Sequence, residues 1–296
     1  MKYKISKHPT AVLVVLLLSI AILRVCALSA PCTSVREELP AVIEGAYEKT
    51  GIYQYTARVP SVTDISDTEK RLWFYRDDEK LMGELFLPEG SGKFPVIVLS
   101  GGLDSSCYDY EDKAMKFAEN GYAAVTFTYT PLPRLPSDFT DDSSGTSRTL
   151  SGTLDLYAVM DSLDYLPGVD TGRLYLWGHS FGGLVSAYAG CGRPDAVKGM
   201  ILVEPSLIMG ENDVLSLEPR VVVNIYDLME GLSVDTLIFV GTQDGYGDDP
   251  HAYDRAMETL TSGELITIDG ANHFFVGEYG DRMIDETCER MASWGA

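Results

Sequence analysis

Short, continuously apolar runs alternate along this chain with stretches whose apolar residues recur at helical spacing. Pro95 to Ser100 (PVIVLS) is apolar without alternation, as in a strand covered on both faces of a parallel sheet. Tyr122 to Tyr129, Arg173 to Trp177, Val197 to Val203, Asp235 to Val240 and Glu264 to Ile268 read as further strands. Ile52 to Val59, Arg71 to Arg76 and Leu81 to Leu87 also have strand character, the last ended by Pro88 and a Glu-Gly-Ser-Gly turn. Helices are predicted over Tyr110 to Asn120, stopped by Gly121, and over Leu150 to Leu166, Phe181 to Ala189, His251 to Leu260 and Arg282 to Ser293. Ala41 to Gly45 reads as a short helix or loop.

Strands alternating with helices predict an α/β fold with a mostly parallel central sheet and helices on both faces. Two stretches break the alternation. Thr130 to Thr149 is rich in Pro, Ser and Asp and reads as a long loop over one edge of the sheet. The segment at about 204–232 is too long for a turn and too short for a domain, and is expected to be a small lid insertion. No internal repeat is evident.

The first residues follow another rule. Lys2, Lys4 and Lys7 precede an apolar stretch from Ala11 to Leu23, and then come Val25, Cys26 and Ala27. This is the pattern of a signal peptide over residues 1–29, cut after Ala27 or Ser29, with an uncleaved N-terminal anchor as the alternative. It leaves 30–296 as a single domain and implies a secreted or extracytoplasmic protein. Loss of Cys26 would leave Cys32, Cys107, Cys191 and Cys288, either as two disulfides in one of three pairings or as free buried thiols. With no Cys-x-x-Cys pair, a zinc site is not expected. A net charge of −21 disfavours nucleic acid and highly anionic substrates, so the expected partner is a small neutral molecule. No membrane contact is expected beyond the N-terminal signal or anchor.

The chemistry concentrates at Gly178-His179-Ser180-Phe181-Gly182-Gly183, where the strand Arg173 to Trp177 passes into a helix. Gly178 and Gly182 let strand and helix approach closely, which forces Ser180 to the tip of a strained turn with its hydroxyl exposed. The positive end of the following helix favours negative charge there. In this context GHSFGG resembles the nucleophile elbow of the α/β-hydrolase superfamily, and the resemblance extends in order of elements over most of the chain after Leu81.

The resemblance implies the rest of a catalytic triad. Of the four histidines, His8 lies in the signal, His179 adjoins the elbow and is expected to pack beneath it, and His251 opens a helix. His273 follows the last strand, in Asp269-Gly270-Ala271-Asn272-His273, which is where the superfamily keeps its general base. Asp244 follows the strand Asp235 to Val240 and fits the order Ser, acid, His, with Asp248, Asp249 and Glu204 as rivals. The expected oxyanion donors are the amide of Phe181 and one from Ser100-Gly101-Gly102-Leu103-Asp104-Ser105, either Leu103 or Gly102, with Leu103 preferred. That loop lacks the His-Gly pair common in esterases. It is similar to the Gly-Gly-Leu-Asp-Ser loop of the fermentation-respiration-switch esterases and dihydropseudooxynicotine hydrolase.

Gly102, Tyr108, Phe274, Phe275 and Leu207, with Ile208 and Met209 of the lid, are candidates for an apolar, partly aromatic acyl pocket. Arg134 is the one basic residue singled out near it. The resulting expectation is a serine hydrolase cleaving carboxylic esters of neutral small to medium substrates, without metal or organic cofactor. Alternatives are the same triad acting as a peptidase, thioesterase or C–C bond hydrolase, or a catalytically inactive secreted binding protein on this scaffold.

Overall fold

A computed structural model of the chain describes residues 39–43, 55–130, 145–207, 214–218, 221–245 and 251–294. The expected signal peptide lies outside them, as do Cys32, Arg134, Ile208, Met209, Asp248 and Asp249. The strands in chain order are β1 (Ser61–Asp64), β2 (Glu69–Arg76), β3 (Glu79–Phe86), β4 (Phe94–Ser100), β5 (Ala123–Phe127), β6 (Val169–His179), β7 (Gly199–Val203), β8 (Val214–Glu218), β9 (Val221–Asn224), β10 (Asp235–Gly241) and β11 (Gly263–Ile268). The helices are α1 (Glu111–Glu119), α2 (Gly145–Ser162), α3 (Phe181–Gly192), α4 (Ile225–Met229), α5 (His251–Thr259) and α6 (Glu278–Trp294).

Nine strands form the main sheet in the order β1-β2-β3-β5-β4-β6-β7-β10-β11. From β5 to β11 every pairing is parallel, whereas β1, β2 and β3 form an antiparallel meander joined antiparallel to β5. The interior parallel strands β4, β5 and β7 are the continuous apolar runs, because each is covered on both faces. One face carries α2, α3 and α5 over a core that includes Leu154, Val159, Leu184, Val185 and Ala256. The other carries α1 and α6 over Phe117, Trp177, Phe239, Met283 and Met291. Helices therefore cover both faces, as the alternation predicts.

Several expectations need correction. The described part of Ile52 to Val59 forms only isolated bridges, of Arg58 with Val42 and of Ala57 with Arg76. The edge strand is instead Ser61–Asp64, which is polar and largely exposed and so carries no apolar signature. The end of the presumed loop Thr130 to Thr149 is helical from Gly145 onward, despite its glycine, serine and threonine content. Within 204–232 lie an antiparallel pair, β8 with β9, and the short helix α4. Leu207, expected at the pocket, is 2% exposed and packs in the core instead. Cys107, Cys191 and Cys288 are free thiols, and burial pushes the latter two up to about 12.

Beneath the carboxyl edge, β2 and α2 are joined by a buried ion pair. Nε of Arg76 donates to Asp155 Oδ1 at 2.5 Å, and Nη2 donates to Ser151 Oγ at 3.1 Å. Asp155 Oδ2 accepts the amide and the hydroxyl of Thr130 at 2.9 and 3.0 Å. The two side chains are 2% and 0% exposed, so each is compensated chiefly by the other. Asp155→Ala is expected to destabilise the fold by about 3–5 kcal/mol in urea unfolding, because it strands a buried guanidinium. A loss below about 1 kcal/mol would contradict this account.

Candidate active site

Each candidate residue follows the carboxyl end of a parallel strand: Leu103 after β4, Ser180 after β6, Asp244 after β10 and His273 after β11. The strand order brings these ends side by side although the residues are far apart in the chain.

Ser180 has φ 55° and ψ −119°, a conformation that an L-residue adopts only when its surroundings compel it. Its N–H donates to the carbonyl of Val203 at 2.9 Å, and its own carbonyl accepts from the amides of Gly183 at 2.9 Å and Ser206 at 3.1 Å. A Cβ on Gly178 would run into the carbonyl of Gly182, and one on Gly182 into that of Ser100. Both positions therefore require glycine for the strand, the elbow and α3 to pack. Phe181 opens α3, where the first amides have no carbonyl a turn earlier to bind.

The adjacent His179 is 5% exposed and bridges three segments. Its Nε2 meets the carbonyl oxygen of His273 at 2.7 Å, and its Nδ1 meets Tyr110 Oη at 2.9 Å. A carbonyl can only accept, so Nε2 carries the proton and Nδ1 accepts from the Tyr110 hydroxyl. Tyr110 Oη in turn accepts the Gly102 amide at 2.8 Å. Burial is the main reason the His179 imidazole is pushed down to about 4, which keeps it neutral and this bonding order intact. The expectation that His179 packs under the turn agrees with this placement.

His273 is itself buried, and its Nδ1 lies 3.1 Å from Asp244 Oδ1. The carboxylate accepts, so Nδ1 holds the proton of this bond. The loops bearing the two residues are stitched together: Gln243 N–H donates to Ala271 O at 2.9 Å, and Thr242 Oγ1 binds both Asp269 Oδ1 and the Gly270 amide at 2.9 Å. Glu204, one rival for the acid, stands at the end of β7 with φ 43°.

In the loop after β4, the Gly102 amide is engaged by Tyr110, and the Gly102 carbonyl accepts from both the amide and the hydroxyl of Ser105. Of the two amides considered there, Gly102's is thus committed elsewhere. Gly102 also stands close to Ser180, since a Cβ there would be 3.7 Å from that of Ser180.

A cavity of about 460 Å³ opens beside Leu103 and Phe181. Trp73, Met82 and Tyr129 complete its apolar wall, and Thr130, Ser151 and Asp155 make a polar portion. Lys80 and Arg148 also line it; Arg148 pairs with Asp104 at 3.5 Å, and Lys80 lies over the rings of Trp73 and Tyr75. Trp73, Lys80, Met82 and Arg148 were not foreseen, because they come from the antiparallel strands and the start of α2. Tyr108 is exposed and adjoins this cavity through Met82, whose sulfur lies 3.4 Å from the Tyr108 hydroxyl. Phe274 is exposed and stands edge-on to the His273 ring at 5.4 Å. Phe275 is buried in the core.

The sheet order, the elbow at Ser180 and the loops gathered at the strand ends define an α/β-hydrolase. The family description "Esterase FrsA-like" matches residues 51–228, more than half of the sequence. The chain belongs to the FrsA-like esterase family and is an ester hydrolase of the α/β class. The match ends before Asp244 and His273. No curated protein matches the chain by sequence.

Among solved structures, it is similar to Est1E from Butyrivibrio proteoclasticus, with 18% identity, coverage of 76% of this chain and 98% of that one, and a TM-score of 0.57. It is also similar to acetyl xylan esterase 1 from Thermoanaerobacterium sp. JW/SL YS485, with 14% identity, coverage of 82% and 90%, and a TM-score of 0.61. An S-formylglutathione hydrolase from Agrobacterium tumefaciens matches at 15% identity, 78% and 98% coverage and a TM-score of 0.57. These likenesses are of fold.

Tyr110→Phe removes both the donor to His179 and the acceptor for Gly102. It is expected to cost about 1–3 kcal/mol of stability in chemical unfolding and to lower ester turnover about tenfold. Unchanged stability and turnover would mean that the bridge holds nothing in place.

Proposed function

We propose that the chain hydrolyses carboxylic esters of neutral, small to medium molecules through an acyl-enzyme on Ser180. The observation that carries this reading is the position of His273. Its Nδ1 is oriented by Asp244 at 3.1 Å, while its carbonyl is bound at 2.7 Å by His179, the residue next to Ser180. Nε2 of His273 is then the base that takes the Ser180 proton as the hydroxyl attacks the ester carbonyl. Asp244 fixes the tautomer and stabilises the imidazolium.

The developing oxyanion is held by the amides of Phe181 and Leu103, the latter favoured because the Gly102 amide is already bound by Tyr110. The imidazolium returns its proton to the leaving alcohol. Water, deprotonated by the same ring, then releases the acid. The cavity of about 460 Å³ suits one small to medium substituent of the ester, with Trp73, Tyr129 and Phe181 offering aromatic surface. Arg148 of its lining is paired with Asp104, which supports the choice of a neutral substrate.

A panel of nitrophenyl esters of increasing acyl length, run beside thioesters and peptide amides, tests the bond. Short-chain esters are expected to turn over fastest, and cleavage of amides alone would overturn the reading. A fluorophosphonate probe is expected to label Ser180, and Ser180→Ala is expected to abolish labelling and lower turnover by at least about 10⁴-fold. Asp244→Asn should be milder than loss of Ser180, at about 10²–10⁴-fold.

A further inference from the structure

We propose that Glu204 is a positioning residue for Asp244: a neutral carboxylic acid that donates its proton to the Asp244 carboxylate and holds it against Nδ1 of His273. The proposal rests on the reading of Asp244 as the acid partner of His273.

Glu204 is the first residue after β7, the strand that lies between the strand of Ser180 and the strand of Asp244. It is 1% exposed. Its φ of 43° is uncommon for a residue with a side chain, and such a conformation persists only where its surroundings hold it. Here the restraint comes largely from β10. The Glu204 amide donates to the carbonyl of Phe239 at 2.9 Å, and Oε1 accepts the Gly241 amide at 2.5 Å. Backbone and side chain are thus both fastened to the strand that delivers Asp244. The second oxygen, Oε2, accepts the Tyr253 hydroxyl of α5 at 3.2 Å, and the carboxyl group lies near enough to Asp244 for the two to interact.

A hydrogen bond between two carboxyl groups requires a proton, and two charges at that separation in a buried site cannot both persist. With Asp244 read as the group that accepts the Nδ1 proton of His273, the proton of the pair is assigned to its neighbour. The shared proton belongs to Glu204. Two titratable groups face the pair, His273 beyond Asp244 and Tyr253 from α5, and the two carboxyls face each other. Burial is the main reason the Glu204 carboxyl is pushed up to about 8, and the Asp244 charge adds to it, while the Gly241 amide and Tyr253 pull it back. In this arrangement Asp244 is bound on one side by the imidazole and on the other by the acid. Ionisation of Glu204 would replace the second bond with repulsion and loosen Asp244 from the ring.

The test compares wild type, Glu204→Ala and Glu204→Gln in ester turnover, with kcat and KM separated, and in thermal unfolding, both from about pH 5 to 10. Wild-type kcat is expected to fall on an alkaline limb centred near 8, the pH at which Glu204 ionises. Glu204→Gln, which keeps the size and a donor but cannot ionise, is expected to lose that limb. Glu204→Ala is expected to lower kcat about tenfold with little change in KM, and Glu204→Gln to recover most of it.

The sign for stability follows from the raised value. Protonated Glu204 favours the folded state, so the stability of wild type relative to Glu204→Gln is greatest below about 4.5 and declines as the pH rises through about 8. A Glu204→Gln kcat profile that superimposes on wild type, or a stability difference that does not change with pH, would overturn the proposal. Failure of the esterase reading is separable from this. Wild type would then neither turn over esters nor take the fluorophosphonate label, while the unfolding comparison would still show whether Glu204 holds a proton, supporting the proposal if it does and overturning it if not.

Discussion

The imidazole of His179 can keep its bonding order only while it is neutral, and much of the site depends on that order. As a neutral ring it donates through Nε2 to the carbonyl of His273 and accepts through Nδ1 from Tyr110. Were it protonated, Nδ1 would turn from acceptor to donor, and Tyr110 would lose the acceptor for its hydroxyl. Tyr110 Oη would then have to accept from both Nδ1 and the Gly102 amide, and its own proton would need another acceptor. These hydrogen bonds tie the loop after β4 and the loop after β11 to the residue beside Ser180, and burial, by keeping the ring uncharged, preserves the order in which they run.

The elbow uses strain in a complementary way. Ser180 and Glu204 both have positive φ, and they stand at the ends of adjacent strands. Each is compensated by hydrogen bonds to its neighbours: Ser180 to Val203, and Glu204 to Phe239 and Gly241. Each strained residue is thus bonded across to the next strand in the sheet. The order β6, β7, β10 becomes a ladder in which the position of one residue fixes the next. Displacement of any one strand end would be felt along the row.

Much of this was legible in the residues. The buried parallel strands announce themselves as unbroken apolar runs, and GHSFGG at the end of such a run left little freedom for Ser180. His273 and Asp244 are singled out through the resemblance to α/β-hydrolases, which implies a base after the last strand and an acid before it, and the two side chains do meet. The illegible parts share a physical cause, which is dependence on contacts between distant segments. The edge strand Ser61–Asp64 is polar because it is exposed, so only its pairing with β2 reveals it. Tyr110 looked like an ordinary helix-entry aromatic, and its hydroxyl acquires its role from His179 and Gly102. Trp73 and Lys80 reach the cavity from the meander, which no local pattern connects to the elbow. Leu207 was misplaced for the converse reason. An apolar residue in the segment after β7 reads as pocket lining, yet it packs inward.

The free thiols carry a further consequence. The thiolate is the form that reacts with oxidants and alkylating agents, and burial holds Cys191 and Cys288 far from it at neutral pH, with Cys107 displaced in the same direction. In the folded state these three sulfurs are therefore held as thiols. Among the described residues no disulfide joins these three sulfurs, so a reductant has no cross-link among them to break.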